Sequence, residues 1–363
     1  MATKPHLRAD SASRRFQPLP FLNRLYNEEA RQRPMPNPRD GAFEQWQKET
    51  RKLLHEILAP EYAQQPMKPK RRERADCGDY WRLYYEVETA PDLWVPFFVL
   101  TPKDHDGPAP GILCLHGRGY GMNEICGLLE DGNPREGEDP GYQKDFAIQA
   151  VQAGFVAVVP DQFGFGRRRD FDFEKTIPGS SDSSQHPSMY LTHLGRTMAG
   201  LRLFDALRML DLMEKMEEIQ SDHIGVVGIS CGGFIASLVA GVDPRIKAAC
   251  ISGFLNEFRR SILAMHQSVD HFVAGLGKQI EMLDLAGLIA PRPLLMESGT
   301  RDTEFPIGAS RRIVENLQEL YGLLGAPERF TADIFSGDHE FSGRQTWEFF
   351  QKWLASEGDE AAP

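Results

Sequence analysis

The feature that most constrains the fold is a regular alternation of short apolar runs with helical segments, which starts near residue 111 and continues almost to the end of the chain. Short runs without a polar face are typical of parallel strands that are buried on both faces of a sheet. Strands that alternate with helices predict an α/β fold with a mostly parallel, doubly wound central sheet flanked by helices. The apolar runs lie at residues 111–115, 155–159, 224–229, 246–251, 294–296 and 330–335.

Helical periodicity fills much of the sequence between these runs. Apolar residues recur at helical spacing in residues 190–216, 307–324 and 345–354, and a shorter helix is predicted at residues 233–240. Two aromatic and β-branched runs, residues 81–87 and 94–100, are separated by a short turn region and predict an antiparallel hairpin. Such a hairpin can precede a mostly parallel sheet.

The first 75 residues differ from the rest and are interpreted as an N-terminal helical extension. Prolines at positions 34, 36 and 38 interrupt regular structure, whereas residues 42–58 show the apolar spacing of one amphipathic helix that ends before Pro60. The basic residues between 68 and 74 are expected to form a solvated loop. Residues 76–363 are expected to form one α/β domain that carries the functional residues.

Charge and cysteine content exclude several classes of protein. A formal net charge of −11 disfavours a nucleic-acid partner, because an acidic surface repels phosphates. The number of cysteines is odd and their spacing matches no zinc or redox motif, so free thiols in a reducing compartment are expected. No run of about 18 apolar residues is present, and the first 20 residues lack an apolar signal core. We expect no membrane association and a cytoplasmic location, unless a signal peptide has been removed. The cysteines are Cys77, Cys114, Cys126, Cys231 and Cys250.

The sharpest local motif is Gly-Ile-Ser-Cys-Gly at residues 228–232. It follows a predicted strand directly and precedes a predicted helix, and this context is required of a nucleophile elbow. Glycines two positions before and after the serine let the strand and the helix approach closely at a sharp turn. The turn would present Ser230 at the carboxyl edge of the sheet, where ligands bind in open α/β folds. Ser230 is therefore the candidate nucleophile.

A serine hydroxyl needs a base to remove its proton, and the base needs a partner that orients it. His339 lies just after the last predicted strand, and Asp302 follows the strand at 294–296. The chain order serine, aspartate, histidine is the one expected for such a fold. We therefore predict a triad of Ser230, Asp302 and His339, with Asp338 as the rival acid.

The oxyanion that forms during acyl transfer needs backbone N–H donors in place before the reaction. One donor is predicted to be the N–H of Cys231, directly after the nucleophile. The other should come from the loop after the strand at 111–115, where we predict Arg118, with Gly119 as the alternative. His116 in the same loop is expected to have a structural role. No histidine, aspartate and glutamate cluster at metal-ligand spacing is present, so no metal or cofactor is predicted.

These residues resemble the α/β-hydrolase superfamily, and within it a bacterial branch of proteins related to dienelactone hydrolases and acetyl xylan esterases. The resemblance covers about residues 75–356 and implies a metal-free serine esterase that uses Ser230, Asp302 and His339. Dienelactone hydrolases themselves use a cysteine nucleophile, and this chain has a serine at that position. The matching stretches are residues 115–117, 160–166, 228–233, 290–295 and 299–306.

Two segments are expected to shape the pocket, because substrate choice in this fold depends on insertions above the active edge. Residues 162–189 contain several phenylalanines and the arginines 167–169, which either pair with the acidic residues at 170, 172 and 174 or hold an anionic substrate. Residues 254–283 include His266, His271 and Phe272. Both segments could equally be packed surface loops.

The function predicted from these features is hydrolysis of short-chain carboxylic esters, with acetyl esters as the first choice and acylated carbohydrates among the candidate substrates. One alternative is a peptidase or amidase of the same fold. Peptidases of this fold usually have an N-terminal β-propeller, for which the residues before the first core strand are too few. The other alternative is a binding protein without catalysis, which a complete triad argues against. A homo-oligomer is compatible with the sequence.

Overall fold

The computed structural model of the chain describes residues 16–104, 107–137, 139–174, 183–264 and 269–354. Within these ranges the strands form a nine-stranded sheet with the order β1-β2-β3-β5-β4-β6-β7-β8-β9. The strands are β1 (Lys70–Asp76), β2 (Tyr80–Ala90), β3 (Leu93–Pro102), β4 (Ala109–Leu115), β5 (Val156–Pro160), β6 (Ile219–Ile229), β7 (Ile246–Ser252), β8 (Leu294–Gly299) and β9 (Phe330–Phe335).

The sheet is parallel from β5 to β9 and antiparallel at its other end. β1, β2, β3 and β5 pair antiparallel in that order, whereas β5–β4, β4–β6, β6–β7, β7–β8 and β8–β9 pair in parallel. Strand β4 lies between β5 and β6, so the chain reverses its winding direction there. In open α/β sheets, ligands bind outside the carboxyl ends of the strands at such a point. The predicted α/β fold with a mostly parallel sheet is confirmed.

Helices cover both faces of the sheet. Side chains alternate along β3, where Val95, Phe97 and Val99 belong to one apolar core and Phe98 and Leu100 to the other. The helices are α1 (Pro18–Glu29), α2 (Phe43–Leu58), α3 (Met122–Ile125), α4 (Phe146–Gln152), α5 (Phe171–Glu174), α6 (Gln185–His193), α7 (Met198–Met213), α8 (Cys231–Val242), α9 (Leu276–Gln279), α10 (Met282–Gly287), α11 (Ile307–Leu323) and α12 (Thr346–Leu354). None of the helices in the described ranges is long and apolar enough to span a membrane.

The N-terminal helix predicted at residues 42–58 is α2, and it packs on the α/β core. Phe43, Leu54 and Leu58 are buried in the larger of the two apolar cores. The Gln47 amide donates to two backbone carbonyls, those of Gly287 and Ala290, at 2.9 and 2.7 Å. This segment therefore completes one face of the domain.

Two local predictions differ from the structure, and one helix was not predicted. The predicted helix at 190–216 is two helices, because Gly195 has a positive φ of 72° and the Thr197 side chain caps α7 by accepting the Gly200 N–H. The basic segment at 68–74 contributes most of β1, a sheet-edge strand whose charged side chains remain exposed. Helix α1 was not predicted, and it buries no side chain.

Candidate active site

Ser230 lies between the end of β6 and the start of α8, at the carboxyl edge of the sheet. Its backbone has φ 56° and ψ −119°, outside the regions that most residues occupy. A Cβ atom on Gly228 would collide with the Gly232 backbone, and one on Gly232 would collide with the Leu115 carbonyl. The two glycines therefore permit the close approach that holds the serine in this strained turn.

His339 and Asp302 lie at the ends of β9 and β8 and contact each other directly. His339 Nδ1 is 2.8 Å from Asp302 Oδ2. The imidazole ring lies between the rings of Tyr142 and Phe305, whose centres are 5.7 and 5.5 Å away. Burial lowers the pKa of His339, but the hydrogen bond and the charge of Asp302 outweigh it, so that this pKa is raised above its ordinary value.

The carboxylate of Asp302 is itself held by the backbone. Its Oδ1 accepts hydrogen bonds from the N–H groups of Glu304 and Phe305, both at 2.8 Å. The side chain of the rival acid, Asp338, is 70% exposed and accepts from Arg301 Nε at 2.9 Å. The geometry therefore favours Asp302 over Asp338 as the partner of His339.

The loop after β4 is fixed so that few of its N–H groups can face a substrate. The Gly117 N–H donates to Gln143 at 2.7 Å, and the Tyr120 N–H donates to Glu124 at 3.2 Å. The Arg118 carbonyl accepts from the Tyr142 hydroxyl at 2.6 Å. The N–H groups of Gly117 and Tyr120 are therefore engaged within the protein, and Arg118, with Gly119 as the alternative, stays the predicted donor. Cys231 is the first residue of α8, where N–H groups have no acceptor within the helix.

His116 has the structural role that was expected. It is fully buried, its Nε2 accepts from the Gln162 N–H at 3.0 Å, and its Nδ1 is 2.8 Å from the Gly117 carbonyl oxygen. Burial lowers the pKa of His116 to about 4. The neutral ring therefore links the loop after β4 to the loop after β5.

Ser230 and His339 line the same cavity, which has a volume of about 320 Å³. Among the described residues, its lining contains no aliphatic side chain. The lining residues are Arg118, Tyr142, Ser230, His271, Glu304 and His339. Tyr142 and Glu304 were not predicted, because nothing in their local sequence distinguishes them from residues of ordinary loops.

The Cys231 side chain is not among the described residues that line this cavity. It is buried, and its sulfur is 2.9 Å from Arg202 Nη1 on α7. Of the two predicted pocket segments, residues 254–283 contribute His271 to the cavity. His266 in that segment and residues 175–182 in the other lie outside the described residues. Among the described residues, no group of three or more His, Cys, Asp or Glu side chains could hold a metal ion.

The arginines at 167–169 contact residues outside their own segment. Arg168 Nη1 is 2.7 Å from Asp205 Oδ2, and Arg169 Nη1 is 2.6 Å from Glu130 Oε1. These two partners were not predicted, because the segment folds back on α7 and on the loop that follows α3. Pairing with the acidic residues at 170, 172 and 174 stays a prediction. None of the three arginines lines the cavity around Ser230.

A comparison with protein families identifies the group to which this architecture belongs. A model of the abhydrolase family matches residues 34–333, which is most of the chain. The chain belongs to the abhydrolase family. The match includes Ser230 and Asp302 and begins within the N-terminal extension. The predicted membership of the α/β-hydrolase superfamily is therefore confirmed.

Individual relatives of this abhydrolase have names in agreement with the predicted carboxylic ester hydrolase. The "Putative hydrolase YtaP" of Bacillus subtilis (strain 168) is 29% identical over 269 residues, which is 71% of this chain and 83% of that protein. A "putative acetyl xylan esterase" from Bacteroides fragilis NCTC 9343 has a similar structure, with a TM-score of 0.74 and 20% identity over 97% of this chain and 93% of the other. A glucuronoyl esterase from Solibacter usitatus also has a similar structure, with a TM-score of 0.61 and 17% identity. The match covers 86% of this chain and 93% of the other. At sequence identities of 20% and 17%, the likeness to these two esterases shows that they share the fold of this chain and nothing further.

Proposed function

We propose that this abhydrolase is a serine esterase that hydrolyses short-chain carboxylic esters, with acetyl esters as the first choice. The observation that carries the proposal is the cavity that Ser230 shares with His339. Nδ1 of His339 is hydrogen-bonded to Asp302. A strained serine, a histidine and a carboxylate at three strand ends are the components of acyl transfer. The acetyl xylan and glucuronoyl esterases named above add the suggestion that the alcohol part is a carbohydrate.

The reaction follows from the roles of these groups. His339 Nε2, which makes no hydrogen bond among the described residues, accepts the proton of the Ser230 hydroxyl as its oxygen attacks the ester carbonyl. The N–H groups of Cys231 and Arg118 stabilise the oxyanion. The alcohol leaves with the proton from His339, and an acyl group remains on Ser230. Water then attacks the acyl group by the same proton transfers and releases the acid.

The size and polarity of the cavity support a short acyl group. A buried methylene contributes roughly 0.8 kcal/mol only where an apolar wall replaces water. The cavity of about 320 Å³ has polar or aromatic side chains on all its named sides. A long alkyl chain would therefore meet no aliphatic side chain in the described part of this cavity.

The test is hydrolysis of 4-nitrophenyl acetate by Ser230→Ala, His339→Ala and Asp302→Asn. Each variant should lose about 10⁴-fold or more in kcat, and the Ser230→Ala/His339→Ala double variant should be no slower than the worse single one, because the residues act as a unit. Asp338→Asn is the matched control and should stay within about threefold of the wild type. Near-wild-type turnover by folded His339→Ala would refute the proposed mechanism.

A further inference from the structure

A buried carboxylate holds two basic side chains at one wall of the cavity around Ser230. Asp270 Oδ2 is 2.7 Å from Arg202 Nη1, and both side chains are buried. The other oxygen, Oδ1, is 3.3 Å from Arg118 Nη2 and 3.3 Å from His271 Nδ1. Arg202 contacts the carboxylate on its buried side, whereas Arg118 and His271 both line the cavity.

Among the described residues, three basic side chains lie around the Asp270 carboxylate. Burial lowers the pKa of His271, but the charge of Asp270 outweighs it and raises this pKa to about 9, so the imidazole is protonated at neutral pH. Three positive side chains then share one carboxylate. The other acidic group of the cavity, Glu304, lies towards His339, with 3.9 Å between its Oε2 and His339 Nε2.

His271 also has hydrogen-bonding capacity that the described protein does not use. The residue is 5% exposed, and its ring stacks on Phe234 with 6.0 Å between the ring centres. Within the described residues neither ring nitrogen has a well-aligned hydrogen bond, and Nδ1 has Asp270 Oδ1 3.3 Å away. A buried N–H without a well-aligned acceptor is unfavourable, and a substrate acceptor in the cavity would remove this penalty.

We propose that Arg118 and His271 form a carboxylate-binding wall, and that the preferred substrates are esters with a free carboxylate close to the ester bond. Asp270 and Arg202 are positioning residues that hold the wall in place. This inference rests on the proposed esterase function and deepens it. A carboxylate is the acceptor that matches two adjacent cationic donors, since such hydrogen bonds are about twice as strong as neutral ones.

Two substrate pairs test this wall, one for each side of the ester. In each pair a carboxylate is replaced by a methyl ketone of similar size: monomethyl succinate against methyl levulinate, and O-acetylglycolate against acetoxyacetone. Hydrolysis is followed by pH-stat at pH 7 and low salt. For at least one pair, we expect the ratio of kcat/KM for the carboxylate ester to that for the ketone ester to fall about tenfold or more from wild type to His271→Gln.

Arg118→Gln should lower the same ratio, which provides a second variant should His271→Gln fold poorly. His193→Gln is the matched control, because His193 is exposed on α6, and its ratio should equal that of the wild type. Unchanged ratios in folded His271→Gln and Arg118→Gln, with the wild type active on the ketone esters, would overturn the carboxylate wall alone. No hydrolysis of any ester by the wild type would instead refute the proposed function.

Discussion

The imidazole of His339 is subject to two opposing effects, and their balance determines the pH at which it can act as a base. Burial between Tyr142 and Phe305 disfavours the charged ring, whereas the Asp302 carboxylate at 2.8 Å favours it. The carboxylate has the greater effect, and the pKa of His339 is raised. Only the neutral ring can accept the proton of Ser230.

This balance predicts the pH profile. Activity should fall as the pH falls through the pKa of His339, so the acidic limb of kcat/KM should have its midpoint above the ordinary histidine value of about 6.5. In Asp302→Asn the charge is lost and burial remains, so the pKa of His339 should move down. The midpoint of the acidic limb is measured from the hydrolysis of 4-nitrophenyl acetate between pH 5 and 9. The pKa of His339 in Asp302→Asn is measured by NMR titration of the imidazole ring. A wild-type midpoint below pH 6 would contradict this account.

Cys231 offers a second prediction at the residue scale. Its thiol is buried against Arg202, and the elbow places the Ser230 hydroxyl in the cavity instead. Cys231→Ala should therefore keep most of the wild-type kcat, because the backbone N–H of this residue is retained. A fluorophosphonate should label Ser230, as read by peptide mass spectrometry. Labelling at Cys231 with loss of activity would reverse the assignment.

At the scale of elements, α1 and α2 differ in how much they contribute to stability, although both precede the sheet. Leu54 on α2 is fully buried in the apolar core, whereas Leu22 on α1 is 50% exposed. Leu54→Ala should lower the free energy of unfolding by about 2–5 kcal/mol, because it removes buried methylenes and leaves a cavity. Leu22→Ala, the matched control, should change it by less than about 0.5 kcal/mol. Urea unfolding followed by circular dichroism measures both, and equal losses would show that α1 is as much part of the core as α2.

Helices and strands with a regular pattern or a continuous run of apolar residues could be predicted from the sequence. Those without such a pattern could not. The part of β6 directly before Ser230, residues 224–229, is apolar on both faces, and α2 buries one continuous stripe, so both patterns could be recognised. Strand β1 is charged along its length, since an edge strand needs only backbone pairing on one side. The interruption between α6 and α7 depends on a single positive-φ glycine, which an apolar stripe does not reveal.

At the scale of the whole molecule, the site also contains residues that could be predicted from the sequence and residues that could not. Ser230, Asp302 and His339 follow strand ends, and the carboxyl ends of parallel strands meet at one edge, so their proximity could be predicted. Tyr142 and Glu304 come from irregular segments whose course depends on tertiary packing. The contact between Arg118 and Asp270 spans 152 residues of sequence, and no local period encodes it. The grouping of charged side chains at the cavity wall could therefore not be predicted from the sequence and was found only in the structure.

The overall arrangement of the cavity leads to a last prediction, on acyl length. An open apolar groove would raise kcat/KM about fourfold for each added methylene, the equivalent of roughly 0.8 kcal/mol. Here the cavity of about 320 Å³ is lined by Arg118, Tyr142, His271 and Glu304, and its described lining has no aliphatic side chain along which a long alkyl chain could extend. In a series of 4-nitrophenyl esters with one leaving group, kcat/KM should therefore be highest at acetyl or butyryl and fall for longer chains. Spontaneous hydrolysis and Ser230→Ala provide the background. A maximum at octanoyl or beyond would mean that an apolar groove opens in solution, and cleavage of aminoacyl amides with no ester hydrolysis would favour the peptidase alternative.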